Sequence, residues 1–148
     1  MSKLEEIGIK VISDPQDAGQ SGNVATILHE LAEMLDDLLE KNESSAIDLQ
    51  DLSLTPGDYE LLREVLAEGE VHATIDAIGP TEVRETLFPG VWWITHYNVE
   101  GDIMADVVEV AFVPDILKSH PDDVHDARDR LNAFLQDANP LPIEIPAG

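Results

Sequence analysis

The sequence predicts an α+β fold, in which a four-stranded antiparallel meander sheet packs with about three helices. Two patterns favour this fold. Apolar residues recur at helical spacing in the early and late parts of the chain, and short apolar–polar alternations separated by turn residues fill the middle. Helices that cover one face of such a sheet are the natural architecture for this order of elements. With 148 residues, the chain has the length of one domain.

A long helix is predicted from Asn23, capped by Asn23 itself or by Ser21, to about Asn42. The preceding residues, 1–21, become rich in chain breakers, which predicts a flexible N-terminal segment. The helix carries one apolar stripe, which indicates a side that faces the core. Its members are Val24, Ile27, Leu28, Leu31, Met34, Leu35, Leu38 and Leu39.

A second, shorter helix is predicted to begin at Thr55. The threonine side chain can cap it, Pro56 suits the first helical position, and Asp58 lies near the positive end of the helix dipole. Gly69 is expected to end this helix. Between the two helices, residues 46–49 carry a short strand pattern that does not belong to the predicted meander.

Four strands are predicted in the middle of the chain. They lie at residues 71–78, 81–87, 91–99 and 103–113, and glycine- or proline-containing turns separate them. The third strand carries the strongest signal, because aromatic and β-branched residues are concentrated there. Short connections between successive strands predict antiparallel pairing of neighbours.

The predicted elements group into one domain, residues 1–148. Residues 22–68 form its helical part, residues 69–114 its antiparallel sheet and residues 115–138 its C-terminal helix, and residues 139–148 form an extended, proline-spaced tail. No internal repeat and no linker interrupts this order, which favours a single folding unit.

Acidic residues dominate the charge of the chain. Eight Lys+Arg stand against 31 Asp+Glu, a net charge of −23, so nucleic acid and anionic membrane surfaces would repel the protein. Such a charge either keeps the surface soluble or steers a basic partner. The sequence starts without a signal-peptide pattern, and it has no apolar stretch long enough to span a membrane, which predicts a cytoplasmic protein.

Patterns typical of catalysis are missing from the sequence. The chain has no cysteine, which excludes thiol nucleophiles and cysteine-ligated metals or clusters, and it has neither a nucleophile elbow nor a phosphate-binding loop. We therefore expect no catalytic residue, no cofactor and no enzymatic activity. The alternative is a metal-binding or metal-dependent hydrolytic protein, with ligands from His120, Asp122, Asp123 and His125.

Four glutamates border the predicted strands and are candidates for a binding surface. They are Glu68, Glu70, Glu85 and Glu109. An acid beside apolar strands must be exposed or paired, since burying an unpaired charge is unfavourable. Arg84 is one of the few cations nearby and is a plausible partner.

Two adjacent tryptophans are the other candidates. Trp92 and Trp93 lie on one predicted strand, so their side chains point to opposite faces of the sheet. One can enter the core. The other, near Tyr97, would be an exposed anchor for a partner protein, unless both are covered within the domain.

Several short pieces between residues 58 and 114 follow one another in a characteristic order. They are Asp58-Tyr59-Glu60-Leu61-Leu62, Ala67-Glu68-Gly69-Glu70-Val71, Glu85, Pro89-Gly90-Val91-Trp92, Glu109-Val110 and Val113-Pro114. In this order and spacing they resemble the C-terminal conserved region of the HupH family of hydrogenase expression/formation proteins, most closely over residues 67–114. Two positions depart from the family pattern: Ala67 replaces an expected glycine, and Trp93 an expected polar or basic residue.

The resemblance implies an accessory role in the maturation of nickel–iron uptake hydrogenase. It implies a scaffold or chaperone for the iron–sulfur-bearing small subunit before export, with the small-subunit precursor and other maturation factors as partners. The negative charge could attract a precursor with a basic twin-arginine leader. A self-associating domain, present as a homo-oligomer, is a further interpretation. The expected partner-binding residues are Glu68, Gly69, Glu70, Glu85, Pro89, Gly90, Trp92, Trp93 and Glu109.

Overall fold

A computed structural model describes residues 22–137 of the chain. The predicted flexible segment 1–21 and the predicted extended tail 139–148 lie outside the described residues. The described residues divide into two compact units, residues 22–114 and residues 115–137. The first unit contains two α-helices and the sheet, and the second contains the third α-helix.

Helix α1 spans Asn23–Lys41 and matches the predicted bounds. Its N-cap is Gly22, at φ 91°, so the expected Asn23 cap is wrong, because Asn23 is already helical. The alternative cap, Ser21, lies outside the described residues. At the other end Asn42 adopts the left-handed conformation, φ 58°, and its N–H donates to the Leu38 carbonyl oxygen at 3.1 Å. The predicted apolar stripe supplies the buried residues, which are Val24, Ile27, Leu31, Met34 and Leu38.

Helix α2 spans Pro56–Leu66 and begins with the predicted cap. The Asp58 N–H donates to Thr55 Oγ1 at 3.1 Å, and the Thr55 N–H donates to an Asp58 carboxylate oxygen at 3.1 Å, a complete capping box. The helix ends before the predicted Gly69. Ala67 occupies the C-cap instead, at φ 52° and ψ −154°.

The sheet has five antiparallel strands, not four. They are β1 (Ser45–Asp48), β2 (His72–Ala77), β3 (Gly79–Glu85), β4 (Val91–Tyr97) and β5 (Ile103–Val110), in the spatial order β1-β5-β4-β3-β2. Strands β2 to β5 form the predicted meander. The α+β class is therefore confirmed, whereas the predicted strand number is wrong.

Strand β1 is the additional strand, and it pairs antiparallel with β5. Ser45 lies opposite Val110 and Ile47 opposite Val108, so the partners are far apart in sequence. The strand is only four residues long, and Ile47 is its single buried residue. Hydrophobic periodicity is a local signal, and such a short segment does not reveal a distant partner.

One face of the sheet packs against α1 and α2. Side chains alternate between the two faces along a strand. The buried side chains on the face toward the helices pack with helix residues in a single apolar cluster. From the sheet, this cluster takes Ile47, Val91, Trp93, Val108 and Val110; from the helices, it takes the buried stripe of α1 together with Leu62 and Leu66 of α2.

The second unit contains a 3-10 turn, Asp115–Leu117, and helix α3, Pro121–Gln136. His120 is the N-cap of α3, and its Nδ1 accepts from the Asp122 N–H at 3.1 Å. Across residues 22–137, none of the helices combines the length and the apolar character that crossing a bilayer requires. The apolar residues of α3 are exposed, namely Val124, Leu131, Phe134 and Leu135.

Candidate functional site

The Glu68-Gly69-Glu70 segment is bonded to Glu85 at the end of β3. The Gly69 N–H donates to the Glu85 carbonyl oxygen at 2.7 Å, and the Glu70 N–H donates to Glu85 Oε1 at 3.3 Å. A Cβ atom at Gly69 would collide with the carbonyl oxygen of Thr86, so only glycine permits this close approach. The structure thus brings together two pieces that are distant in sequence and that were both predicted to bind a partner.

Pro89 and Gly90 form the turn between β3 and β4, and the buried Thr86 holds this turn. Thr86 Oγ1 donates to the Val91 carbonyl oxygen at 3.0 Å and accepts from the Phe88 N–H at 3.1 Å. Gly90 has φ 96°, which favours glycine. Its carbonyl oxygen accepts from the Ala111 N–H at 3.0 Å, which joins the turn to the segment after β5.

Glu85, Trp92 and Glu109 form one row across β3, β4 and β5. Glu85 lies opposite Trp92, and Trp92 lies opposite Glu109. By strand alternation this row is on the face opposite the helices, whereas Trp93 is on the helix-packed face. Eight of the nine predicted residues therefore gather at the end of the sheet that carries the β3–β4 turn, which we call the turn end. Trp93 is on the other face, where Glu68 is the one predicted residue that lines a pocket with it.

Both tryptophans are buried, so of the two alternatives the structure has the one in which both are covered within the domain, and neither is an exposed anchor. Trp92 is 6% exposed and Trp93 is 4% exposed. The indole N–H of Trp92 donates to the Ala111 carbonyl oxygen at 3.0 Å, which ties β4 to the segment after β5. Adjacent strand residues reveal which faces they occupy, but not what packs on each face.

Exposed apolar side chains at the turn end were not predicted as functional. They are Leu87, Phe88, Phe112 and Val113, and we call them the apolar rim. Hydrogen bonds bring the β3–β4 turn and the segment after β5 together: the Ala111 N–H donates to the Gly90 carbonyl oxygen, and the Trp92 indole N–H donates to the Ala111 carbonyl oxygen. The sequence signal was available, since two large apolar residues directly precede the Pro89-Gly90 turn. Contiguous patches of exposed apolar side chains are typical of protein interaction surfaces.

Trp93 lies in a polar network on the helix-packed face. The guanidinium carbon of Arg63, on α2, lies 4.9 Å from the centre of the Trp93 ring, a cation–π contact. The Trp93 indole N–H donates to Asp106 Oδ1 at 2.7 Å, and the Thr95 hydroxyl donates to the same oxygen at 2.9 Å. Sequence reasoning missed Arg63 and Asp106, because helix α2 and strand β5 supply them from distant parts of the chain.

Arg84, on β3, faces the same network. It was expected to pair with Glu68, Glu70, Glu85 or Glu109, but the nearest carboxylate oxygen in an ion pair is Glu82 Oε1, at 3.9 Å. Arg84 lies directly opposite Trp93 in the sheet. The two residues line a pocket of about 120 Å³, which is completed by Arg63, Ala67 and Glu68.

Tyr59, on α2, has an unusual environment near this network. Burial raises the pKa of its hydroxyl above the usual 10.0, and the carboxylates of Asp106 and Asp48 raise it further. The Arg63 cation acts in the opposite direction on the same pKa. The neutral phenol is therefore the favoured form in the folded chain.

The alternative metal site receives no support from the geometry. His120 serves as the N-cap of α3, and Asp122 and Asp123 lie in its first turn, where a carboxylate favours the helix dipole. In the stretch 22–137, no three His, Cys, Asp or Glu side chains gather in an arrangement that could hold a metal ion.

Comparisons with known proteins extend the resemblance seen in the sequence. The family described as HupH hydrogenase expression protein, C-terminal conserved region, matches residues 22–138, well over half of the chain. The solved structure of the hydrogenase expression protein HupH from Thiobacillus denitrificans is similar, with a TM-score of 0.75 and 50% sequence identity. That match covers 79% of this chain and 98% of the other.

Curated relatives are similar over part of their length. The hydrogenase expression/formation protein HoxQ of Azotobacter vinelandii is 28% identical over 91 residues, which is 62% of this chain and 32% of the relative. The protein HupH of Rhizobium leguminosarum bv. viciae is 33% identical over 93 residues, again 32% of the relative. The chain thus spans about a third of the length of these relatives. The match over residues 22–138 shows that the chain belongs to the HupH family of hydrogenase expression proteins, and that it carries their C-terminal conserved region.

Proposed function

We propose that this protein is an accessory factor in nickel–iron hydrogenase maturation, which binds the precursor of the hydrogenase small subunit in the cytoplasm as a scaffold or chaperone. Family membership over residues 22–138 is the observation that carries the proposal. The relatives are named as hydrogenase expression/formation proteins, and other maturation factors are further partners in this function.

The recognition surface in this proposal is the turn end of the sheet. It combines the apolar rim with the neighbouring acids Glu68, Glu70, Glu85 and Glu109. Such a surface suits a polypeptide segment that carries positive charge next to apolar residues, because both kinds of contact are available side by side. A twin-arginine export leader has this composition.

Binding rather than bond chemistry is the proposed contribution of the chain. It contains no cysteine, so it has no thiolate with which to ligate an iron–sulfur cluster. In this function the client holds its own cluster, and the domain shields or presents it. The net charge of −23 would also accelerate the encounter with a basic leader at low ionic strength.

The test measures binding of the full 148-residue chain to purified small-subunit precursor, with and without its leader, by biolayer interferometry. The double variant Phe88→Ser/Phe112→Ser should bind about tenfold or more weakly, since it removes two central apolar contacts. Val99→Ser is the matched control, because Val99 is also an exposed apolar residue but lies at the opposite end of the sheet, in the β4–β5 turn.

Each arm of this test separates one part of the proposal. Loss of binding on removal of the leader supports the leader as the recognised segment. Equal binding by the double variant and the Val99→Ser control would reject the turn end as the surface. An unmodified chain that ignores the precursor at micromolar concentration would reject the function itself.

A further inference from the structure

Two of the few cations in this acidic chain converge on one pocket. The chain has only eight Lys+Arg residues, yet Arg63 from α2 and Arg84 from β3 both line the pocket of about 120 Å³ beside Trp93. This pocket has room for several water molecules or for one small anionic group. Two arginines at one pocket of a chain of charge −23 are an exception that a general solubility argument does not explain.

Arg84 is largely buried but poorly paired. Its side chain is 18% exposed, and its nearest carboxylate oxygen, on Glu82, is 3.9 Å away. Within residues 22–137, its one hydrogen bond to a side chain, to the Thr95 hydroxyl, is 3.5 Å long. A guanidinium has five N–H donors, and a cation with so little exposure needs close partners to offset its lost hydration. Arg84 therefore retains unused capacity to bind an anion.

Arg63 is held in place by an aromatic ring and not by an ion pair. Its guanidinium lies over the Trp93 ring at 4.9 Å, and the ring is itself fixed by the 2.7 Å bond to Asp106. Among residues 22–137, the recorded ion pairs give Arg63 no carboxylate partner within 4.0 Å. Stacking on an aromatic face leaves the N–H groups at the guanidinium edge available to a ligand.

We propose that the Arg63–Arg84 pocket binds a single carboxylate carried by a polypeptide partner, either an Asp or Glu side chain or a C-terminal carboxylate. The planar guanidinium fork matches a carboxylate, which can accept two parallel hydrogen bonds from one arginine. Binding of a carboxylate by the pocket is independent of the proposed function. Only the identity of the polypeptide that carries the carboxylate rests on that function. The pocket supplies a contact that the acidic turn end cannot make, since it recognises negative rather than positive charge.

Glu68 restricts the pocket to ligands of low charge. It lines the same pocket, so its carboxylate opposes a second negative group nearby, and a phosphate dianion would be opposed more strongly than a carboxylate. Neutralising Glu68 is therefore expected to tighten binding of a carboxylate, whereas neutralising either arginine is expected to weaken it.

The test uses the full chain, labelled with ¹⁵N, and follows the indole N–H resonance of Trp93 during titration. The probes are sodium acetate, an N-acetyl-aspartate amide with only its side-chain carboxylate free, N-acetyl-glycine with only its terminal carboxylate free, and inorganic phosphate. Sodium chloride keeps the ionic strength constant and reports non-specific screening. We expect a saturable shift with the carboxylates, and the tighter of the two amino-acid probes identifies the source of the carboxylate.

Variants decide whether the pocket causes the shift. Arg84→Gln should weaken acetate binding about tenfold, the usual size of one charge-assisted hydrogen bond, and Arg63→Gln should weaken it in the same direction. Glu68→Gln should strengthen it. Arg130→Gln is the control, because Arg130 is paired with Asp126 at 2.8 Å on α3 and should leave the titration unchanged. Arg84→Lys keeps the charge without the fork, and it provides a second folded variant if Arg84→Gln unfolds.

Several outcomes would overturn the proposal. A shift that rises linearly with every salt, or an unchanged titration in Arg84→Gln and Arg84→Lys, would show that the pocket binds no carboxylate. Tighter binding of phosphate than of acetate would reject the ligand class. Because the probes are small molecules, these results are independent of precursor capture. If the precursor fails to bind, a saturable titration with carboxylates still supports the pocket. If the titration fails, binding of the precursor still supports the proposed function.

Discussion

Trp93 on β4 and Asp106 on β5 are joined by a 2.7 Å hydrogen bond from the indole N–H to Oδ1 of the carboxylate. Asp106 is only 3% exposed, and it also accepts the Thr95 hydroxyl at 2.9 Å. The carboxylate fixes the edge of the indole ring, while Arg63 lies over its face. Asp106 thus links two strands through side chains and orients the aromatic wall of the arginine-lined pocket.

Replacing Asp106 by leucine should destabilise the domain by about 2–4 kcal/mol, because the buried donors of Trp93 and Thr95 would each lose their acceptor. Asp106→Asn retains one carbonyl oxygen and should lose less than half as much. Urea denaturation followed by tryptophan fluorescence measures both. Asp76→Asn, at an exposed position of β2, is the control and should change the free energy of unfolding by less than about 0.5 kcal/mol. An Asp106→Leu variant as stable as this control would refute the role of the network.

Local signals predicted most of the fold. The Thr55-Pro56 start of α2 and the Asn42 end of α1 depend on neighbouring residues, and the structure reproduces both. The meander strands likewise follow from local alternation and turns. Strand β1 was left out of the predicted sheet because its pairing with β5 joins distant segments, and pairing of that kind is decided by tertiary packing.

Part of the candidate site could be predicted because it too depends on local signals, and part could not because it depends on tertiary packing. Glycine and proline mark where the chain turns, and the turns at Gly69 and Gly90 do meet the acids at one end of the sheet. Burial of Trp92 and Trp93 depends on which elements cover each face of the sheet. The residue pattern of a strand does not contain that information. The network of Arg63 and Asp106 combines α2 with β5, so spacing within any one element could not reveal it.

Ala67 is the position where the resemblance implies glycine, and its backbone conformation is one that favours glycine. Ala67 adopts φ 52° and ψ −154°, a region essentially restricted to glycine, where another residue costs about 1–3 kcal/mol. Ala67→Gly should therefore stabilise the domain, by about 1 kcal/mol after the greater flexibility of glycine in the unfolded chain is subtracted. Thermal unfolding measures the gain. Ala46→Gly, on strand β1, is the control and should be destabilising; a loss of stability in Ala67→Gly would contradict the strain.

Trp92 should matter for stability rather than as an exposed anchor. Removing its buried side chain in Trp92→Ala should cost about 3–5 kcal/mol, so failed precursor capture by that variant would report unfolding. Trp92→Phe keeps most of the volume and loses chiefly the bond to the Ala111 carbonyl oxygen; it should cost about 1–2 kcal/mol. The measurement pairs chemical denaturation with precursor binding. A folded Trp92→Phe that binds tenfold more weakly would show that Trp92 contributes to client binding, either directly or through the Ala111 segment that it holds.

Tyr59 predicts the alkaline behaviour of the domain. Burial, followed by the Asp106 and Asp48 carboxylates, raises the pKa of its hydroxyl above 10.0 in the folded chain. Below pH 10 the phenol is neutral in both states, so the stabilisation is fully present there. As pH rises beyond 10, the unfolded chain releases the proton first, and the stability falls until pH passes the folded pKa. The urea midpoint should therefore drop as pH rises above 10, and it should drop less in Tyr59→Phe.

The chain has two tyrosines, so absorbance can isolate this one group. In Tyr97→Phe, the phenolate signal near 295 nm comes from Tyr59 alone, and it should appear above pH 10. Adding Asp106→Asn to that variant removes a negative charge that raises the pKa, so the titration should move to lower pH while burial keeps it above its unfolded position. A Tyr59 signal at or below pH 10 in the folded Tyr97→Phe variant would contradict the assigned environment, and an unchanged curve after Asp106→Asn would exclude the carboxylate as one of its causes.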